Sequence, residues 1–307
     1  MTPKGKTLSA PLRVYWDLVP ATGGGLSEAD AARVAEELAG LKVFFVTLGL
    51  SGRVRQDAGL LVAALKKGGV RVTVSVAGQD SFPGWENLAE ADGIDLRADD
   101  AGSFKALVDA VVSGAPAKKT VSVSVVPSKK KLGQIVGIFS IALDAGIRNF
   151  NLPNPDLISN KEKARDYALG NADRETIKRG LEGLLGPLGQ DVRVSVHDLF
   201  LHQALKLPGL GGRIEYAGCQ AGDAIAYIDG SGLVYPCASW PVVFGSLRES
   251  SFREIWSTAG RKALREGLTV TPAGCASCPE ATVCKGGCRG LAWAIGDLDG
   301  RDPNCEG

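Results

Sequence analysis

Leu12-Arg-Val-Tyr-Trp-Asp-Leu-Val19 is an apolar run rich in β-branched and aromatic residues, and Pro20-Ala-Thr-Gly-Gly-Gly25 breaks it. Ser27–Leu38 then repeats apolar residues at helical period, and Val43–Leu48 returns to a β-rich run. Ser27 followed three residues later by Asp30 resembles a capping box at a helix start. Strand, loop, helix and strand in this order predict a βαβ unit, and the order recurs. Val70–Val76, Gly93–Leu96 (the weakest), Thr120–Val126, Ile147–Leu152 and Val192–Val196 read as strands. Gln56–Lys67, Ser103–Val112, Lys129–Leu143 and Lys161–Leu185 read as helices. Read as apolar on both faces, such strands predict a parallel sheet covered on both sides. Six or seven units predict an α/β fold built on a partial (β/α) barrel, with a doubly wound open sheet as the alternative. Either architecture places chemistry at the C-terminal ends of the strands.

Beyond residue 200 the texture changes. Leu207-Pro-Gly-Leu-Gly-Gly212 reads as a loop-rich bridge. Ala224–Ile228, Asp229-Gly-Ser-Gly232 and Leu233–Tyr235 predict a β-hairpin. Ser251 with Glu254 predicts a helix running through Leu264. Pro272–Gly307 has too few apolar residues to form a core alone, so metal stapling is expected there. The expected division is a barrel over 1–205 and a small cysteine-rich domain over 206–307.

Composition narrows the function. The chain has 307 residues, with Lys+Arg 35 against Asp+Glu 34 for a net charge of +1, so no basic field exists for nucleic acid. No run approaches the roughly 18 consecutive apolar residues of a membrane span. Met1-Thr-Pro-Lys-Gly-Lys lacks the apolar region of a secretory signal, and cytoplasmic residence is expected. Two histidines in the whole chain exclude sites built from several His ligands.

All seven cysteines fall in the last third, at Cys219, Cys237, Cys275, Cys278, Cys284, Cys288 and Cys305. An odd number in a chain expected to be cytosolic argues against a disulfide framework. Thiolates this closely spaced repel one another unless a cation compensates them, so metal ligation is the expectation. A structural zinc in the manner of zinc ribbons is the alternative.

Taken together, Cys219, Cys237, Cys275-x2-Cys278-x5-Cys284-x3-Cys288 and Cys305 resemble the SPASM domain, the C-terminal auxiliary-cluster module of many radical S-adenosylmethionine (radical SAM) enzymes. The segments Ile228-Asp-Gly-Ser-Gly-Leu-Val-Tyr-Pro-Cys237, Phe244-Gly-Ser-Leu247 and Phe252-Arg-Glu-Ile-Trp256 are similar to that family's hairpin and linking helix. The resemblance implies two [4Fe–4S] clusters. Cys275, Cys278, Cys284 and Cys305 would hold one, and Cys219, Cys237 and Cys288 would give three ligands of the other. Family members with two full clusters place a fourth cysteine a few residues before the first. Here Gly212-Arg-Ile-Glu-Tyr-Ala-Gly218 has none, leaving an open position or a non-Cys ligand such as Glu215, His202 or Asp223.

Radical SAM enzymes carry Cys-x3-Cys-x2-Cys after the first strand and Gly-Gly-Glu after the second. This chain has Pro20-Ala-Thr-Gly-Gly-Gly25 and Thr47-Leu-Gly-Leu-Ser-Gly52, with no cysteine and no glutamate. The resemblance therefore implies a degenerate radical SAM barrel, with S-adenosylmethionine use not expected. It is closest to stand-alone SPASM proteins that accompany an intact radical SAM enzyme in peptide or cofactor maturation, and more narrowly to the SPASM-domain protein of the GeoRSP system. The expected role is an electron relay or peptide anchor for such a partner. The alternatives are an enzyme using an open-site cluster and a metal-stapled scaffold.

Thr22–Gly25 lies between strand and helix, where phosphate could bind, but lacks the Lys-Ser/Thr of a P-loop. His197 and Asp198 fall at a strand end that a barrel would present to its cavity, where a hydrogen-bonded histidine near the domain junction is favoured over ligation or proton transfer; Asp17 and Asn151, also near strand ends, would face a bound peptide or cap neighbouring loops. Lys129-Lys-Lys131 reads as a solvated helix start. Trp240 and Trp256 are expected to pack around the cysteine module.

Overall fold

The computed structural model describes residues 8–305 apart from 21–22, 52–54, 79, 81, 117–118, 206, 208–209, 211–217 and 298–300. The barrel half runs β1 (Arg13–Asp17), α1 (Glu28–Gly40), β2 (Phe45–Ser51), α2 (Ala58–Lys67), β3 (Arg71–Ala77), β4 (Gly93–Arg97), α3 (Ala101–Val112), β5 (Thr120–Ser124), α4 (Leu132–Asp144), β6 (Asn149–Leu152), α5 (Asn171–Leu185), β7 (Arg193–Val196) and α6 (Leu199–Ala204). The rest contributes β8 (Ile225–Ile228), β9 (Leu233–Tyr235), β10 (Gly245–Ser246), α7 (Phe252–Trp256), α8 (Ala259–Gly267), α9 (Ala281–Cys284) and α10 (Arg289–Ala294).

One ten-stranded sheet has the order β10-β9-β8-β1-β2-β3-β4-β5-β6-β7. Strands β1 to β7 are parallel neighbours in sequence order. A doubly wound sheet reverses its order at a switch point, and this one does not, so the barrel alternative is the fold.

The expectation of strands apolar on both faces is corrected. In β2, Val46, Leu48 and Leu50 are buried with Val34, Leu38, Leu61 and Leu65 of α1 and α2. On the other face Thr47 and Gly49 line a cavity, as do Tyr15 and Asp17 of β1 and Ser75 of β3. Each strand therefore alternates, with an apolar side under the helices and a small or polar side toward the interior. A layer of helices on one face is what a barrel wall requires.

The hairpin forms as expected: β8 and β9 are antiparallel, with Tyr227 opposite Tyr235. Asp229 Oδ1 accepts the backbone N–H groups of Ser231 and Leu233, both at 2.9 Å, and so closes the turn. β8 also pairs parallel to β1, Arg13 against Ile225 and Tyr15 against Tyr227. The cysteine-rich half thus extends the barrel sheet.

Three expected helices are divided, the first of them Lys129–Leu143, which opens as a 3-10 turn over Lys129–Lys131 before α4. Lys161–Leu185 is a 3-10 segment, Lys161–Tyr167, followed by α5. The break comes where Leu169 N–H donates to Asn304 Oδ1 at 2.8 Å and Gly170 N–H to Asp173 Oδ2 at 3.0 Å. Ser251–Leu264 divides at Ser257, because Thr258 takes an extended backbone and its hydroxyl accepts the Arg261 N–H. Ser27 and Ser251 do cap their helices, each accepting an N–H from the residue three positions on. Lys130 and Lys131 pair with Asp166 and Asp99 at 2.7 and 2.6 Å. Trp256 stacks on Phe252 in the main core and lies under the Arg261 guanidinium, and Trp240 follows Cys237 closely.

Candidate metal and ligand site

The C-terminal strand ends surround a cavity of about 240 Å³, closed on its far side by the cysteine-rich segment. Buried Asp95 on β4 is held from three strands. Its Oδ1 accepts from Ser122 Oγ and Ser124 Oγ at 2.7 Å and Asn151 Nδ2 at 3.1 Å, and its Oδ2 from Ser75 Oγ at 3.3 Å. Asp17 Oδ2 accepts the Tyr227 hydroxyl at 2.6 Å. The Asp17 carboxylate fills the space above Gly49, where a Cβ would lie 1.9 Å from Oδ1. Asp156 also lines the cavity, and burial followed by the like charge of Asp17 pushes its carboxyl up. His197 and Asp198 reach this wall as expected; Asp198 caps α6 through the Leu201 N–H at 2.6 Å and accepts from Asn304 Nδ2.

The loop after β1 is locked without any thiol. Arg55 donates to the carbonyls of Leu18 at 3.0 Å and Leu26 at 3.3 Å, and pairs with buried Asp57 at 2.6 Å. Arg248 Nη2 binds the carbonyls of Gly24 and Gly25 at 2.8 and 2.6 Å. These carbonyls point at a cation, which is the reverse of a phosphate cradle. Gly230 of the hairpin turn packs on Pro20, with no room for a Cβ. Thr22 and Gly52 lie outside the described residues.

All seven cysteines are free thiols. Burial pushes the Cys237 thiol up to about 12, with Cys219 beside it as the next cause. Burial raises the Cys288 thiol well above its ordinary value, followed by Asp302, Cys237 and Cys219. Burial raises Cys275, then Cys305 and Cys278; it also raises Cys284, which lies near Asp302 and Cys305. Cys237 and Cys288 thus feel Cys219 and each other, while Cys275 feels Cys305 and Cys278, and Cys284 feels Cys305. Among the described residues no three His, Cys, Asp or Glu side chains converge where one ion would sit. A cubane cluster asks for something wider, one thiolate per iron.

The donor chemistry fits such a group. Backbone N–H groups of Ala221 and Arg289 point at the Cys219 sulfur, and those of Ser239 and Trp240 at Cys237. Cys288 Sγ accepts from Leu291 N–H at 3.4 Å and Asn154 Nδ2 at 3.5 Å. Buried Trp240 Nε1 has no acceptor among the described residues, so an added sulfur acceptor nearby would satisfy it. Cys219, Cys237, Cys284 and Cys288 line the cavity.

Of the fourth-ligand candidates, Glu215 lies outside the described residues. Asp223 Oδ1 accepts the Leu8 N–H at 2.7 Å, in the turn that follows Cys219. His202 sits on α6 and does not line the cavity. Sequence reasoning missed Asp302, which is 1% exposed and lines the cavity; burial, then Asp198, pushes its carboxyl up to about 7. The polar run Asp302-Pro-Asn-Cys305 was the available signal.

Comparison with known proteins agrees with this geometry. The model of the SPASM iron–sulfur cluster-binding domain matches residues 219–279. Mycofactocin maturase MftC of Mycolicibacterium smegmatis is 27% identical over 97% of this chain and 83% of its own length. The AdoMet-dependent heme synthase of Methanosarcina barkeri is 35% identical over 29% of this chain, and the match spans only 25% of that protein. PqqA peptide cyclase of Granulibacter bethesdensis is 36% identical over 28% of this chain, again 25% of its length. Among solved structures, Streptococcus suis SuiB superposes with a TM-score of 0.72 at 15% identity, over 98% of this chain and 78% of that one. The anSMEcpe structure with bound AdoMet gives 0.65 at 15% identity, over 95% and 94%. No helix among the described residues is long and apolar enough to cross a membrane. Residues 219–279 thus match the SPASM iron–sulfur cluster-binding domain, and along its whole length the chain is similar in sequence to a maturase and in fold to SuiB and anSMEcpe.

Proposed function

We propose that this protein is an iron–sulfur partner for a separate radical SAM maturase, acting in peptide or cofactor modification as an electron relay or peptide anchor. The observation that carries the reading is an asymmetry around one cavity. Its SPASM wall is lined by Cys219, Cys237, Cys284 and Cys288, while the loop after β1 has no thiol and is locked by Arg55 and Arg248. In this reading Cys275, Cys278, Cys284 and Cys305 hold one [4Fe–4S] cluster, and Cys219, Cys237 and Cys288 hold a second. Bound clusters supply one-electron transfer. The chain's own residues supply the surroundings: N–H donors to the sulfurs, and a cavity that admits a peptide segment on the barrel side. Relatives named as a maturase and a peptide cyclase support the peptide role; a GeoRSP-type SPASM partner is the narrower form of this proposal.

The test is iron and acid-labile sulfide on anaerobically purified protein, followed by an assay for S-adenosylmethionine cleavage. About eight irons and eight sulfides per chain with no cleavage is the expected result. Cleavage by this chain alone refutes the partner role, and zinc without sulfide refutes the clusters. A second reading follows from the three-thiol set lining the cavity: an open iron position there would bind a small substrate directly. It predicts substrate-induced change in the cluster spectrum without any partner protein.

A further inference from the structure

Helix α8 carries Arg261 and Arg265 four residues apart, on one helix face. Both reach into the turn that contains Cys219. Arg261 is buried; its Nη1 donates to the Gly222 carbonyl at 2.9 Å and its guanidinium lies 4.7 Å from the centre of the Trp256 ring. Arg265 Nη1 donates to the carbonyls of Cys219 at 2.7 Å and Ala221 at 3.1 Å. One helix face thus grips three carbonyls of the Cys219–Gly222 turn. The cost is two neighbouring cations drawn out of water, and their Nε atoms are buried without acceptors among the described residues. Asp223 compensates in part, its Oδ2 lying 3.8 Å from Arg265 Nη2. Further negative charge on the Cys219 side would balance the pair, and thiolates gathered there would supply it. No cysteine in 206–218 helps to fix this turn from the N-terminal side.

We infer that Arg265 is the positioning residue of the three-thiol set: it fixes the Cys219 carbonyl, aims that sulfur toward Cys237 and Cys288, and provides the fixed positive charge facing an anionic ligand assembly. The inference rests on the proposed cluster at Cys219, Cys237 and Cys288. Net charge near a cluster sets its reduction potential, so the charge of Arg265 has a readout that a packing role lacks.

The experiment uses anaerobically reconstituted full-length protein in wild-type, Cys219→Ala, Arg265→Gln and Arg265→Lys forms, with iron content and potentiometric titration followed by electron paramagnetic resonance. Cys219→Ala identifies the signal of the three-thiol set. Arg265→Gln is expected to shift that signal to more negative potential, or to abolish it, leaving the other cluster unchanged. Arg265→Lys restores the charge and is expected to return the potential toward wild type. An unchanged potential in Arg265→Gln overturns the inference, as does an equal shift in the Gln and Lys variants. If Arg265→Gln does not fold, the Lys variant decides: a loaded three-thiol set near the wild-type potential supports the assignment, and loss of that set overturns it. Iron content unaltered by Cys219→Ala instead refutes the underlying cluster reading, so the two failures are distinct.

Discussion

Asp302 Oδ2 accepts the backbone N–H of Cys288 at 2.6 Å, while Oδ1 accepts that of Asn304 at 2.9 Å. A single buried carboxylate therefore ties the loop of Cys288 to the segment that carries Cys305. Asp302→Ala orphans two buried N–H groups, at about 1–3 kcal/mol each. Urea denaturation is expected to show a loss of about 2–6 kcal/mol, and reconstitution a fall in iron at both sets. Retention of full iron uptake would argue that Asp302 acts on stability alone.

Gly290 tests the packing between Cys237 and Cys288. A Cβ there would lie 2.5 Å from the Ser239 carbonyl oxygen and 3.2 Å from Trp240 Cβ. Gly290→Ala is expected to cost about 1–3 kcal/mol and to lower iron at the three-thiol set, since α10 and the Cys237 turn must separate. Gly183→Ala, at an exposed position of α5 with open space around it, is the control and is expected to gain up to about 1 kcal/mol. Thermal melts of the two variants provide the comparison.

Arg55 and Asp57 form a pair with side chains 13% and 6% exposed. Removing Arg55 leaves a buried carboxylate without its cation and two loop carbonyls without a donor. Arg55→Met is expected to cost about 3–5 kcal/mol, part of which Asp57→Asn restores in the double variant. A double-mutant cycle in urea gives the coupling, and additive losses would contradict it.

Asp156 predicts a pH effect. Its folded carboxyl is raised by burial, then by Asp17. The folded protein keeps this proton at pH values where the unfolded chain has lost it, so the contribution to stability falls as pH rises from the ordinary Asp value through the raised one. Asp156→Asn removes that decline. Relative to wild type, the variant is expected to be more stable at pH 7.5 than at pH about 4, measured by paired urea curves. An equal difference at both pH values would show that the carboxyl titrates normally.

How much the chain discloses before folding varies with the range of the interaction. Strands such as Val70–Val76 stand out because branched apolar residues recur within a few positions. The same strand misleads about its second face, because Thr73 and Ser75 are small enough to read as tolerable in a core, yet Ser75 hydrogen-bonds Asp95 at the cavity. Helix breaks at Leu169 and Thr258 depend on a capping hydroxyl and on Asn304, 135 residues away from Leu169. Cysteine spacing revealed a metal module. It could not reveal Asp302 or Arg265, whose importance arises only once their turns are folded against Cys288 and Cys219.

The parallel register between β8 and β1 carries a final implication. Cutting the chain between the barrel and the hairpin would tear a hydrogen-bonded ladder and leave two raw strand borders open to association with other chains. The thiol-bearing half and the barrel are thus expected to melt in a single cooperative step, so that loss of metal is felt as far away as β2. Grafting this segment onto another scaffold would require supplying a new first strand along with it.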